Sequence, residues 1–240
     1  MKNWLYQLFI HRTTNECYRG SLNYVSPGSR LLDVGIGNGI MIETFHPLIR
    51  FKKLRITGID IDTGYLKHCR ELIRKYQLED YIDVWQGSGE TYVPREPGCF
   101  DFVLFCMSFM LFPDPRAILN CARTWLKPGG EIIFAQAMFR KRSRLVDVVK
   151  PKLKYLTTVD FGRAIYEKDF FPLLEANGLS VREDRVLKGE WFNSQCRMIM
   201  ASFQRAPSPA NHSGSNGRTP AKVRVADEAV HPAGTNVTST

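Results

Sequence analysis

The stretch from Arg30 to Gly39, RLLDVGIGNG, limits the folds open to this chain more than any other. Leu31, Leu32 and Val34 make a short apolar run suited to a parallel strand buried on both faces, and Gly35, Gly37 and Gly39 follow at once. Glycine lets the backbone turn sharply and removes the Cβ atoms that would hold a ligand off the main chain. The residues from Gly39 to Arg50 read as a helix, so the unpaired N–H groups and dipole at its start face whatever lies over the loop. Strand, glycine loop and helix N-terminus together predict a nucleotide-like cofactor site in a doubly wound α/β sheet.

Two glycines in a turn decide little alone, and the second signal comes about twenty residues further on, where doubly wound folds carry an acid. Leu54 to Ile59, LRITGI, reads as another buried strand and ends at Asp60, placed to accept from both hydroxyls of a ribose. A dinucleotide fingerprint would need a third glycine at position 40, where Ile40 stands; instead Asp33 opens the motif and the third glycine arrives early, at Gly39. A nicotinamide oxidoreductase is disfavoured on that ground.

In these residues the chain resembles the class I S-adenosylmethionine-dependent methyltransferases, whose first motif is similar to LLDVGIGNG, and the resemblance covers roughly Ser29 to Ala201. It implies a Rossmann-like fold: a seven-stranded, mostly parallel sheet with helices on both faces and an antiparallel final strand. It also implies S-adenosyl-L-methionine as cofactor, held at the first loop by Asp33, Gly35, Ile36 and Gly37 and at the second strand by Asp60 and Ile61. Strand 3, Tyr81 to Gln86, delivers Gly87, Ser88 and Gly89, the loop that in the family lies against the adenine, with Ser88 where an aspartate often stands and Glu90 close by.

Phe100 to Phe112, FDFVLFCMSFMLF, reads as a fully buried fourth strand and its exit. The resemblance makes Asp101 structural and puts Cys106 at the cofactor, although a buried packing thiol is the commoner role. Phe105, Met107, Phe109, Met110 and Phe112 suggest a greasy acceptor pocket. Asp114 and Pro115 have the chemistry of a helix start, and LKPGG, Leu126 to Gly130, that of a helix stop before strand 5, Glu131 to Gln136. The LKPGG turn is a further mark of the family. Glu167 to Leu179 reads as a helix, and Val181 to Leu187 and Arg197 to Phe203 as strands 6 and 7, with GEWFNS between them near the acceptor.

Around this domain, residues 29–205, lie two appendages. Residues 1–28 form an expected N-terminal helical cap, with Trp4, Leu5, Leu8 and Phe9 at helical spacing before a polar break and then Tyr18, Leu22 and Tyr24. By resemblance Tyr6 or Tyr18 falls near the acceptor. Residues 206–240, rich in Pro, Ser, Gly, Asn and Thr and without an aromatic, are expected to be disordered.

With 240 residues, 44% of them apolar, the chain can fill one sizeable α/β core. Six scattered cysteines without a C-x-x-C pair indicate neither zinc nor a disulfide framework, and no bound metal is expected. No apolar run reaches membrane-spanning length and no secretory signal is evident, so a cytoplasmic protein is expected. The formal charge of +9 is local: the insertion 140–164 carries seven basic residues against Asp147 in its first part, Arg140 to Lys154. Arg140, Lys141, Arg142 and Arg144, interleaved with aliphatic residues, could seat an anionic head group or a membrane surface. Nucleic acid is disfavoured, because only Tyr155 offers a stacking ring.

Because the cofactor itself supplies the reactive methyl, no conspicuous acid-base pair is required. The function implied is methyl transfer to a small-molecule or lipid acceptor, of the ubiquinone-biosynthesis type. The alternatives are a protein or peptide side-chain methyltransferase, for which FCMS after strand 4 is the wrong tetrapeptide for amide targets, and a non-catalytic cofactor-binding module.

Overall fold

Seven segments extend as strands: Arg30–Val34 (β1), Arg55–Asp60 (β2), Ile82–Gln86 (β3), Phe100–Cys106 (β4), Leu126–Phe139 (β5), Leu179–Gly189 (β6) and Ser194–Phe203 (β7). They form one sheet in the order β3-β2-β1-β4-β5-β7-β6. The pairings from β3 through β5 are parallel, and β7 runs antiparallel to both β5 and β6. This is the Rossmann-like arrangement expected. The computed structural model describes residues 2–140, 164–189 and 194–204, with side chains described from residue 11 onward. Lys141, Arg142 and Arg144 of the basic segment, most of GEWFNS, Tyr155 and the whole tail lie outside the described residues, as do the side chains of Trp4, Tyr6 and their neighbours.

Helices Lys2–Tyr24 (α1), Ile40–Phe51 (α2) and Thr63–Lys75 (α3) cover one face, and Pro115–Trp125 (α4) and Glu167–Ala176 (α5) cover the other. Strand alternation sorts the core between them. Leu31, Leu104, Cys106, Ile133 and Ala135 face α1 to α3, while Leu32, Val34, Val103, Phe105 and Phe134 face α4 and α5.

Three local outcomes differ from the sequence pattern. The polar break in the N-terminal segment does not interrupt α1, which is one helix. Burial overrides propensity there: Thr13 is buried, and the Asn15 side chain accepts from the Thr44 hydroxyl of α2 at 3.2 Å. β6 is longer than its apolar residues suggest because it is the edge strand, exposed along most of its length, so that LSVREDRVLKG carries the charges an edge tolerates. β5 begins earlier than Glu131: Leu126 already pairs with Phe100 and Glu131 with Phe102, so the residues of KPGG between them are looped out of the ladder. The start of α4 is as expected, with the Asp114 carboxylate accepting from the Arg116 and Ala117 N–H groups.

Helix α1 is a part of the core, with Cys17, Tyr18 and Leu22 all buried against the sheet. Truncating Leu22 to alanine should therefore lower stability by about 2 to 5 kcal/mol, the range for emptying a buried leucine site. Urea denaturation measures it, and a loss below about 0.5 kcal/mol would make α1 a loosely attached cap.

Candidate functional site at the carboxyl edge of the sheet

At the end of β1 the backbone turns under glycine control. Gly35 has φ of +82°, and a Cβ there would come within 2.7 Å of the Ser108 Cβ, so neither another side chain nor another conformation fits. Ser108 is buried beneath the turn and donates its hydroxyl to the Val34 carbonyl, tying the exit of β4 to that of β1. Met107, just before it, has a positive φ of 56° and donates its N–H to the Ala135 carbonyl at 2.8 Å. A bulky residue in that backbone region is rare, and such strain gathers at functional edges.

The loop N–H groups are engaged within the fold. Gly35 and Ile36 donate to the Ile59 carbonyl at 2.8 and 3.1 Å, and Gly37 donates to Asp60 Oδ2 at 2.9 Å. The Ile36 side chain is buried against Gly58, whose missing Cβ makes room for it. What remains to face a ligand is the first turn of α2, which begins at Gly39 with no side-chain cap. Gly39 is a packing glycine as well: a Cβ there would sit 2.8 Å from Leu72 Cδ1 of α3.

Two carboxylates flank the loop. Asp60 closes β2, and besides Gly37 it accepts from the Asp62 N–H through Oδ1 at 2.9 Å, so each oxygen is oriented by one backbone donor and keeps a second lone pair. Ile61 beside it is 73% exposed although strongly apolar, which marks a surface for a flat apolar ligand. Across from β2, Gly87 is covered by the Trp85 ring, where a Cβ would lie 2.2 Å from the indole. Ser88 accepts from the Glu90 N–H, and Gly89 is packed against Val34, Phe112 and Ile118.

Asp33 is the second carboxylate and is fully buried. Its Oδ2 accepts from the Tyr18 hydroxyl of α1 at 2.9 Å, while its Oδ1 has no partner among the described residues. Burial pushes its pKa up from 3.8 to about 7, the Tyr18 hydrogen bond pulls it back in part, and the charge on Asp60 adds to the rise. Tyr18 in turn is driven well above the usual phenol value by burial and by Asp33. Of the two tyrosines that the resemblance puts near the acceptor, Tyr6 or Tyr18, the described Tyr18 is buried on α1 with its hydroxyl on Asp33.

Cys106 is buried on the α1 face, with its thiol 4.0 Å from the Thr14 carbonyl, and burial raises its pKa. Cys17 Sγ and Cys196 Sγ, both buried, approach to 3.0 Å beside it. Asp101 lies at the opposite, amino edge, accepting from the Arg30 N–H and pairing with Lys127 at 2.7 Å. His46 stacks on Tyr76 at 3.9 Å and His68 faces Glu71 at the surface. Among the described residues no three His, Cys, Asp or Glu side chains are grouped to hold a metal.

One buried polar residue on this side of the sheet had no sequence signal. Gln136, on β5 one residue past the point where Ala135 pairs with the end of β4, is buried with both amide atoms unpartnered among the described residues. Leaving them so costs about 1 to 3 kcal/mol for each group. Its cross-strand neighbour Arg197 is held by Asp184 and Glu167 and lies over the Phe171 ring at 5.4 Å.

A family model described as a methyltransferase domain matches residues 32–134. The ubiquinone biosynthesis O-methyltransferase of Paraburkholderia xenovorans is 32% identical over 175 residues, covering 69% of each chain. That of Azotobacter vinelandii is 28% identical over 160 residues, covering 64% of this chain and 66% of its own length, so the chain spans about two thirds of this relative. The chain belongs to the class I S-adenosylmethionine-dependent methyltransferases, and S-adenosyl-L-methionine is its cofactor. The fold is shared with a geranyl diphosphate methyltransferase solved with S-adenosylmethionine, at 15% identity and TM-score 0.62 over 77% of this chain and 83% of that one. It is shared also with mitomycin 7-O-methyltransferase, at 20% identity and TM-score 0.61 over 80% of this chain and 54% of that one.

The state of Asp33 sets a pH dependence. The folded chain keeps the proton up to about pH 7, whereas the unfolded chain releases it near 3.8, so this group's contribution to stability is lost as pH rises through that window. Without cofactor, Asp33→Asn should be more stable than the parent at pH 8 and equal to it near pH 4, read by thermal denaturation. A variant less stable at pH 8 would mean that the buried carboxylate is charged and supported.

Proposed function

We propose that this chain transfers a methyl group from S-adenosyl-L-methionine to a small-molecule or lipid-like acceptor. The observation that carries the reading is the buried Asp33 carboxylate, two residues before Gly35, whose Oδ1 has no partner among the described residues. A buried oxygen of that kind calls for a cationic donor, and the ammonium of the cofactor's methionine part is one. Asp60 would accept from the ribose hydroxyls with its remaining lone pairs. Ile61 and the loop Gly87, Ser88 and Gly89 would sandwich the adenine, and the first turn of α2 would face the carboxylate. Gly35 contributes the close approach, Gly37 the donor that orients Asp60, and Ile36 the packing that fixes the turn. Cys106, facing α1, backs the site from below.

When bound, the cofactor supplies a methyl made electrophilic by its sulfonium. The chain's own residues then bind, orient and exclude water. The acceptor class draws support from two directions. The relatives just described are named for ubiquinone biosynthesis, and the exit of β4 and the middle of β5 are lined by Phe105, Phe109, Phe134 and Phe170, an apolar wall. A protein or peptide side chain has no comparable support.

A cytoplasmic location, with contact to an anionic surface through Arg140, Lys141, Arg142 and Arg144, remains part of this reading on sequence charge alone. No helix among the described residues is long and apolar enough to cross a membrane. Arg140 is exposed, 3.8 Å from Glu167.

Asp60→Ala should weaken cofactor binding by about 1.5 to 3 kcal/mol, the worth of hydrogen bonds to a charged group. Isothermal calorimetry with S-adenosylmethionine measures it, and unchanged affinity would refute the ribose assignment. Asp33→Asn should also weaken binding, and the parent's affinity should rise with pH through about 7 as the carboxylate is freed of its proton.

A further inference from the structure

The Gln136 amide stands out because no described residue bonds to it. It is 0% exposed, and neither Oε1 nor Nε2 has a hydrogen-bond partner among the described residues. A buried amide is kept in such a place against a stability cost, and groups of this kind need either a hidden partner or a visiting one. Its position favours a visitor. Met107 bonds to the carbonyl of Ala135, the residue before Gln136, and Ser108, next after Met107, packs under Gly35. Two short steps therefore lead from the cofactor turn to this amide, on the side where β5 runs on beyond the end of β4.

The surroundings define what could bind. Phe134 and Met138, two residues to either side, share the face of Gln136 and belong to a cluster with Phe109 and Phe170. The rings of Phe109, Phe134 and Phe170 meet edge to face at 4.9 to 5.8 Å. Directly opposite is Arg197, whose guanidinium is already engaged by two carboxylates, Asp184 and Glu167. With Arg140 also 3.8 Å from Glu167, the cluster of two guanidiniums and two carboxylates is balanced, and Arg197 is already taken up by both acids. An amide offers a donor and an acceptor side by side, and a hydroxyl satisfies both, whereas an ionised carboxylate only accepts and leaves Oε1 without a donor.

We propose that Gln136 is the specificity-determining residue for the methyl acceptor, holding the hydroxyl of a neutral hydroxylated aromatic compound and rejecting the corresponding acid. This rests on the methyltransferase reading above, since the cofactor turn fixes which side of the sheet receives the acceptor. The amide touches the acceptor, and the aromatic wall of Phe109, Phe134 and Phe170 receives its ring.

The test uses the full chain saturated with S-adenosylhomocysteine and three matched probes: 4-butylphenol, 4-butylbenzoate and butylbenzene. Wild-type protein should bind the phenol at least tenfold more tightly than either of the others. The Gln136 side-chain amide signals, assigned by their absence in Gln136→Leu, should shift on titration with the phenol. In Gln136→Leu the preference should vanish and the Tm rise by about 2 to 4 °C, as the unpartnered amide is replaced by an apolar group of similar size. Affinity for S-adenosylmethionine should stay within twofold. Retained preference in Gln136→Leu, a fall in its Tm, or binding of none of the probes by the wild type overturns the proposal. Loss of S-adenosylmethionine binding by the wild-type protein would instead sink the methyltransferase reading itself.

Discussion

A single carboxylate, that of Asp60, keeps the cofactor edge in order. Its two oxygens hold the Gly37 N–H on one side and the Asp62 N–H on the other, so β1, β2 and the starts of α2 and α3 are tied through one side chain. Charge-assisted bonds to backbone donors are stronger than neutral ones. The parallel pairing of β1 with β2 from Arg30 with Arg55 to Val34 with Ile59 places that carboxylate, because it is the residue immediately after the ladder. Loop conformation and ligand chemistry are therefore set by one register.

From this edge the two faces of the sheet diverge in character. The face under α1 to α3 is aliphatic and sulfur-rich, with Cys17, Cys106, Cys196, Met198 and Met200 buried beside Leu and Ile. The other face is aromatic, with Phe105, Phe109, Phe134 and Phe170 stacked beneath α4 and α5. Each holds buried polar side chains. Tyr18 with Asp33 lies on the first, where burial and a neighbouring charge raise the carboxyl pKa to about 7. Gln136 beside Arg197 and its two acids lies on the second. Both stand near the carboxyl ends of the strands, where open α/β sheets build their sites.

Much of this was legible in the residues. Alternation and apolar runs gave the strands, Asp114 with Pro115 the start of α4, and the glycines with Asp60 the turn they form together, because each rests on local chemistry that tertiary contacts reinforce. What escaped was non-local. The Tyr18 to Asp33 bond joins residues on different elements, and no spacing rule announces it. Gln136 sits in a strand pattern that reads as apolar, so its burial shows only once β4, β5 and β7 are in register. That the loop N–H groups of Gly35, Ile36 and Gly37 turn inward to Ile59 and Asp60 also shows only in the folded ladder, which reveals which acceptors lie opposite.

The contact of Cys17 with Cys196 joins residues 179 positions apart, and it places the first helix against the last strand but one in space. During synthesis α1 leaves the ribosome with its apolar side bare, and it has to wait for nearly the whole domain before β7 arrives to cover it. Topology of this kind slows folding, because the entropy of closing the longest loop is spent before the contact rewards it. Stalling translation before β7 would leave that side of α1 uncovered, the kind of exposed apolar surface from which aggregation starts.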